Sequence, residues 1–582
     1  MSYRIELKDA YKGYTVDLDK EIPPDETVKR FKERLKTLNL DILDRTVRID
    51  TGRLGIPVYF SLCGKDAADV IGTKKQMGKG GTPTQSEASA VMELAERFSF
   101  FSFCKDPVHF FPARYDELEE GKAISFESIA SSVHDESEDL DIARRVFSLV
   151  PLRWTQAYNL TRQEEVLVPF NWFFAINEFN GPSAGNCREE AILQGICEVI
   201  ERHVSSLISR KRISTAAIDL SSVRDPLVRE LIEKYKRVGV RLYATDFTLE
   251  TGIPSVGVLA YDPSTFPDKS EIVWTAGTTP NPEKSLSRAL TEVAQLAGDF
   301  NTSSGYVASG LPKFKTLDEA SFVMRSDRVV SIDDLPNLAH ENMRIEAERC
   351  MSALSRIGME VFLVDTTSPF LGIPAFYTII PGAHFRERAA GTSVGLFSSR
   401  LIADECEPEE ALHLLRHIDE IMPGKYYVKF YKGMTLLKLD EPDRALDMLN
   451  EALSLEPKRE DLASVFSYMA QALKDKGEFR KALEVLEKAE RYDDERTDIY
   501  NLMGFCFFKL KEHEMAIESF QKVLKINPSS AIDYANIASN YREMGDRDQA
   551  IRYYMLALEL DPSIDFAREN LERLESARVM AG

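Results

Sequence analysis

The chain has 582 residues, 44% of them hydrophobic and 29% charged, a composition that suits a folded protein of two or more domains with ample length for a core. Its net charge of -21 argues against a nucleic-acid-binding surface, which needs a basic footprint. No apolar run approaches membrane-spanning length, the N-terminal residues carry charges throughout, and the seven cysteines include no Cys-x-x-Cys pair, so a cytoplasmic protein with reduced thiols and no membrane or zinc site is expected.

In chain order, Ser2 to Leu7 reads as a short strand and about Pro24 to Leu38 as a helix. Three later segments, Thr46 to Leu62, Leu242 to Leu259 and Val361 to Ile380, share one plan. Each is a β-rich run, an Asp with a Thr close behind, a turn, Gly-Ile-Pro, and a second β-rich run. Proline suits the first position of a strand and the glycine ends the turn, so three related hairpins are expected in a layered sheet core.

Between the hairpins stand three loop-and-helix units. Met77 to Gln85 leads into a helix with Ser89, Glu93 and Glu96 on one face. Asn180 to Asn186 leads into another, whose Glu190, Gln194, Glu198 and Glu201 fall within about a quarter of the circumference at ~100° per residue. Both helices carry Glu-x-x-Glu-Arg, ending at Arg97 and Arg202. A third, Glu283 to Phe300, aligns Arg288, Glu292, Gln295 and Asp299. Like charges at this spacing repel, so cations are expected against them. Small-residue loops opening helices offer N–H groups to phosphate oxygens, and carboxylates facing them would hold Mg²⁺. Neither a P-loop nor a dinucleotide fingerprint is present. Pro112 to Ile142 and Ser326 to Asn342 read as peripheral insertions. Strands and helices so intermixed describe a large α+β domain over residues 1–405.

A linker helix over 406–425 is followed, across 426–582, by helical periodicity with internal repeats. Ala482, Ala516 and Ala550 are 34 residues apart and Ala445 precedes them by 37. Four residues after each stand Leu449, Leu486, Phe520 and Tyr554, then Ala452, Ala489, Val523 and Ala557, while Gly433, Ala470, Gly504 and Ala538 lie upstream. This resembles the tetratricopeptide repeat. Four repeats and a closing helix at about 565–578 would form an all-α solenoid whose concave side takes an extended peptide or a partner protein.

The first 400 residues resemble the YcaO-domain family. The likeness rests on Gly78-Lys79-Gly80-Gly81, the helix Ser89 to Arg97, Ser183 to Asn186 with Glu190, Glu198, Glu201 and Arg202, Ala289 to Gln295, and Pro381-Gly382 after the third hairpin. It implies that ATP phosphorylates a peptide backbone amide oxygen, a thiol, hydroxyl or sulfide attacks the carbon, and phosphate leaves, giving cyclodehydration or thioamidation. A nucleotide-binding accessory role, as in ribosomal-protein methylthiolation, is the alternative. By matching position, Lys79, Ser89, Glu93, Glu96, Asn186, Glu190, Glu198, Glu201, Arg202 and Gln295 would bind ATP, with Glu93, Glu96, Glu190, Glu198 and Glu201 also holding Mg²⁺. No general base is identified. The family also implies a homodimer. Two departures stand out: Asp299 occupies a position where many relatives carry arginine, and the end Ala577 to Gly582 lacks the proline-rich tail of azoline-forming members.

Overall fold

The structure, a computed structural model, describes residues 3–135, 139–302, 305–306, 308, 310–385 and 392–579. The strands are β1 (Leu43–Arg48), β2 (Val58–Cys63), β3 (Lys75–Lys79), β4 (Phe111–Ala113), β5 (Leu152–Asn159), β6 (Glu164–Pro169), β7 (Pro182–Ala184), β8 (Ala217–Asp219), β9 (Arg241–Asp246), β10 (Ser255–Tyr261), β11 (Val273–Thr278), β12 (Val329–Ser331), β13 (Phe362–Asp365) and β14 (Ala375–Ile379). Among them run α1 (Pro24–Leu38), α2 (Lys65–Ile71), α3 (Pro83–Lys105), α4 (Phe126–Ser132), α5 (Leu140–Phe147), α6 (Phe170–Asn177), α7 (Arg188–Lys211), α8 (Pro226–Arg237), α9 (Pro282–Ala297), α10 (Ser321–Met324) and α11 (Met343–Ser355). By packing, the chain divides into two units, Met1–Leu140 with Pro151–Val394, and Asp141–Val150 with Gly395–Gly582.

The first unit is three copies of one module. Each pairs a hairpin with a third strand, in the orders β1-β2-β3, β9-β10-β11 and β13-β14-β7, all antiparallel. The Gly-Ile-Pro signature precedes β2, β10 and β14, and its glycines take φ of +70°, +66° and +62°, a left-handed turn that costs glycine little. Each module is covered by a helix: α3 on β2 and β3, α9 on β10 and β11, α7 on β14 and β7. Each helix also packs on the third strand of another module, α3 on β7, α7 on β11 and α9 on β3, so the modules close in a ring around their helices.

The first two modules repeat in atomic detail. Ser86 Oγ donates to Pro57 O at 2.8 Å and to Gly80 O at 3.3 Å; Ser285 Oγ donates to Pro254 O and Thr279 O at the same two distances. A Cβ on Gly78 would lie 2.1 Å from Ala90 N and 2.3 Å from Ser86 O, and one on Gly277 would lie 2.2 Å from Ser285 O. Strand and helix therefore touch backbone to backbone. In the third module the missing side chain sits on the helix, where a Cβ on Gly195 would lie 2.7 Å from Ser183 Oγ and 2.3 Å from Thr378 Oγ1. These small residues set helix height above sheet.

Several sequence expectations change. Residues 3–7 form no strand; chain from Tyr11 to Ile22 instead straps across the module ends. The two presumed peripheral insertions supply strands, β4 pairing with β5 and β12 with β8 in parallel, because their short apolar runs find open sheet edges. The third helix stops at Ala297, where Gly298 turns left-handed.

The second unit contains α12 (Val394–Glu405), α13 (Pro408–Ile421) and four helical hairpins: α14 (Tyr426–Lys438) with α15 (Pro442–Ser454), α16 (Arg459–Asp475) with α17 (Phe479–Tyr492), α18 (Thr497–Lys509) with α19 (His513–Ile526), and α20 (Ala531–Met544) with α21 (Arg547–Leu560). The closing helix is α22 (Asp565–Val579); residues 580–582 of the tail lie outside the described residues. The repeat alanines Ala445, Ala482, Ala516 and Ala550 are fully buried, and a Cβ on Gly504 would meet the Phe520 ring at 2.5 Å. Residues from Gly395 pack with this unit: Gly395 lies against Tyr427, and Lys438 Nζ donates to Ala403 O. No helix among the described residues is long and apolar enough to cross a membrane.

Replacing Gly78 with Ala forces a methyl into the α3 backbone, which should destabilise the first unit by more than about 3 kcal/mol. Denaturant unfolding followed by tryptophan fluorescence checks this, because Trp154, Trp172 and Trp274 all belong to that unit. An unchanged midpoint would contradict the close packing.

Candidate functional site

Where α3, α7 and α9 converge lies a cavity of about 460 Å³. Equivalent positions of the three modules line it. Glu93, Glu198 and Glu292 share one position; Glu96 and Gln295 lie one turn further on, and Arg97, Arg202 and Leu296 a residue beyond those. Lys79 from the end of β3, Asn186 and Glu190 from the start of α7, and Ser89 and Arg288 also face it. Nine of the ten sequence-expected site residues thus meet in one place.

The tenth, Glu201, does not line the cavity. It is 1% exposed, and its Oε2 accepts from Thr278 N at 3.2 Å and from Arg288 Nε at 2.8 Å. Glu190 is likewise engaged by protein donors, Glu21 N at 3.0 Å and Asn186 N and Nδ2 at 3.2 and 3.1 Å. In both, carboxylate oxygens accept hydrogen bonds from other parts of the protein. Among the described residues no three His, Cys, Asp or Glu side chains stand close enough to hold a metal ion. Mg²⁺ ordinarily takes one or two carboxylates and completes its shell with phosphate oxygens and water, so a dedicated protein cage is not required.

The cations expected against the carboxylates are present. Lys79 Nζ pairs with Glu292 Oε2, Arg97 with Glu96 at 3.6 Å, and Arg202 reaches Glu198 and Glu201 at 3.8 Å each. Compensation is incomplete. Burial, with help from Glu198 and Glu292, pushes Glu93 above the ordinary carboxylate range; burial and the nearby carboxylates do the same to Glu96, and burial and Glu201 to Glu198. For Glu292 burial pulls the same way, but Lys79, Arg202 and Arg288 outweigh it and it is lowered. Arg202 Nε and Glu201 Oε1 are buried without a hydrogen-bond partner. Surplus carboxylate charge beside underused guanidinium groups fits a ligand that is both anionic and metal-bearing.

The strap was not legible as part of the site. Its Tyr14, Leu18, Lys20 and Ile22 line the cavity. Lys284 Nζ grips it through Thr15 O and Val16 O at 2.7 and 2.9 Å, and buried Asp17 accepts from Gly81 N and from Ser287 Oγ. A charged N-terminal stretch without periodicity carried no such signal. Asp299, just past the end of α9, points away to Thr51, whose N–H donates at 2.6 Å.

The far side of α7 is held by imidazoles. His384 N donates to His203 Nδ1 at 3.0 Å, and the His384 ring stacks on His134 at 3.5 Å between centroids. Burial, then His134, lowers His203 to about 4.

The family model described as YcaO cyclodehydratase, ATP- and Mg²⁺-binding, matches residues 77–384, and tetratricopeptide-repeat models match 497–530 and 534–564. An uncharacterized protein of Methanothermobacter thermautotrophicus is 30% identical over 387 residues, 62% of this chain and 94% of that relative. The ribosomal protein S12 methylthiotransferase accessory factor YcaO of Escherichia coli is 27% identical over 284 residues, 45% of this chain and 47% of its own length. A solved heterocyclase in complex with substrate and cofactor has a similar fold over 66% of this chain and 55% of its own, with a TM-score of 0.53 and 21% identity.

Because folded His203 titrates at about 4 against an ordinary 6.5, its neutral form contributes stability that is complete above pH 6.5 and lost as pH falls toward 4. The shift corresponds to about 3 kcal/mol across that window. In His203→Gln, whose amide oxygen can still accept from His384 N, acid destabilisation of the first unit should be visibly shallower than in the wild type. Parallel pH profiles for the two proteins would remove His203 as the cause.

Proposed function

The chain belongs to the YcaO family, and from that premise we propose that its first unit uses Mg-ATP to phosphorylate a backbone amide oxygen of a peptide or protein, leading to cyclodehydration or thioamidation. The observation that carries the reading is one cavity into which three helices bring Glu93, Glu96, Glu198 and Glu292 together with Arg97, Arg202 and Arg288, and β3 brings Lys79. When bound, Mg-ATP supplies the phosphoryl group that makes the amide oxygen a leaving group, and the metal spreads the developing charge.

The residues divide that work. Glu93, Glu96 and Glu198, which the protein leaves short of positive charge, would hold magnesium. Lys79, Ser89, Arg202 and Gln295 face the same space and would bind phosphate oxygens, while Glu190 orients Asn186 through two hydrogen bonds. Tyr14, Leu18, Ile22, Pro24, Met77 and Met92 give the cavity its apolar wall, which would limit access of water to the transferring group. The helical hairpins of the second unit would recruit the substrate or a partner protein in the cytoplasm. Similarity to the Escherichia coli accessory factor favours a second reading, a nucleotide-dependent accessory subunit of a protein-modifying enzyme.

Calorimetric titration of Mg-ATP should show magnesium-dependent binding that weakens about tenfold or more in Glu198→Gln. No binding to the wild type would overturn the nucleotide-site reading. Sustained ATP turnover supports the enzyme, and binding without turnover supports the accessory role. Since burial and the neighbouring carboxylates hold Glu96 above the ordinary carboxylate range, Mg-ATP binding should release protons on the acid side of neutrality, seen as a buffer-dependent enthalpy that shrinks in Glu96→Gln.

A further inference from the structure

A second cavity, of about 340 Å³, opens between α1, the start of α7 and the turn of the third hairpin. It shares Thr27, Met92 and Asn186 with the first as a common wall, in which Thr27 Oγ1 donates to Asn186 Oδ1 at 3.0 Å. Beyond that wall the chemistry changes. The first cavity is crowded with carboxylates, whereas the second has none among its lining residues and takes Arg30 and Arg34 instead. Its floor is apolar, with Phe31 and Leu371 each 2% exposed and Ile373 and Pro374 beside them.

Both arginines are placed without being used up. Arg34 Nε and Nη2 donate to Phe370 O at 3.2 and 3.0 Å, which ties the guanidinium to the hairpin turn. Arg30 Nε donates to Glu26 at 2.9 Å, and its Nη groups make no hydrogen bond to any described residue. Two arginines without a lining carboxylate stand out on a chain of net charge -21, and their complement is an anion. A metal-bound polyphosphate suits the first cavity, where carboxylates can share the metal. The second suits a carboxylate carried close to an apolar side chain, since the floor takes the one and the guanidinium groups at the mouth take the other.

An acceptor amide has to reach the phosphoryl group from outside the space the nucleotide fills. A chain crossing at Thr27 and Asn186 would offer an amide to the first cavity and a neighbouring side chain to the second. We propose that the second cavity is the acceptor-peptide pocket, and that the peptide it takes carries an apolar residue beside the modified amide and an aspartate or glutamate within two residues of it. The assignment rests on the reading of the first cavity as the Mg-ATP site and names the class of substrate that site serves.

For the test, the full chain is immobilised, saturated with Mg-AMPPNP and offered a synthetic library of randomised, end-blocked octapeptides, and the retained peptides are sequenced by mass spectrometry. Peptides with Asp or Glu within two residues of Leu, Ile, Met or Phe should be enriched about threefold or more on the wild type and not on Arg30→Gln/Arg34→Gln. No such enrichment on the wild type overturns the proposal. So does enrichment that the double variant keeps, because another surface then holds the peptide. Mg-AMPPNP affinity of the double variant should stay within about twofold of the wild type; a larger fall makes the second cavity part of the nucleotide site and overturns the assignment. Should the double variant not melt cooperatively, Arg30→Glu decides, since that side chain is 61% exposed on α1 and its reversal should abolish the enrichment. A wild type that binds no Mg-AMPPNP removes the nucleotide reading and this one together, whereas nucleotide binding without the enrichment removes this assignment alone.

Discussion

Glu93, Glu96, Glu190, Glu198 and Glu292 line one cavity of about 460 Å³ together with Lys20, Lys79, Arg97, Arg202 and Arg288, with Glu201 buried behind Arg288, and most of the first unit is arranged to keep them there. Charges removed from water cost several kcal/mol each unless paired, and a pair repays that only with good geometry. Here the pairing is deliberately partial. Arg288 Nε is paired with Glu201 Oε2, Lys79 answers Glu292, and Glu93, Glu96 and Glu198 are left raised by burial. A site built only for stability would not stop there; one built to receive a metal and polyphosphate would.

The threefold ring makes such an arrangement feasible. Each helix is pinned close to its own sheet, backbone to backbone at Gly78 and Gly277 and against the Ser183 and Thr378 hydroxyls at Gly195, which sets the height of its acidic face. Each then leans on the third strand of another module, which fixes the angle between helices. Variation within the ring is chemical. The equivalent positions hold Glu96, Glu201 and Gln295, or Ser89, Gln194 and Arg288, so a repeated scaffold presents an asymmetric site. Asp299 fits the same logic. Once Gly298 ends α9, that carboxylate ties the first hairpin through Thr51 instead of facing the cavity.

The second unit follows a different economy. Its fixed positions are the alanines and glycines that let paired helices approach, Gly433 against Leu449 and Gly504 against Phe520, with large side chains filling the space between. A solenoid of this kind offers surface, and its chemistry is that of recognition.

Sequence alone determined the local grammar. Hydrophobic period, Gly-Ile-Pro punctuation and the 34-residue repeat are properties of neighbouring residues, and they placed three hairpins, three acidic helices and four helical hairpins. Helical spacing likewise brought Glu93 with Glu96 and Glu198 with Glu201, because residues three apart share a face whatever surrounds them. What the tertiary structure decided is which of those groups face a ligand and which face each other. Glu201 and Glu198 are indistinguishable in sequence, yet one is turned to Arg288 from a helix 87 positions away and the other opens to the cavity. The strap of residues 11–22 became a wall of the site through Lys284 and Ser287, partners some 270 positions distant. Contacts of that range depend on how sheets close into a ring, and no local period encodes them.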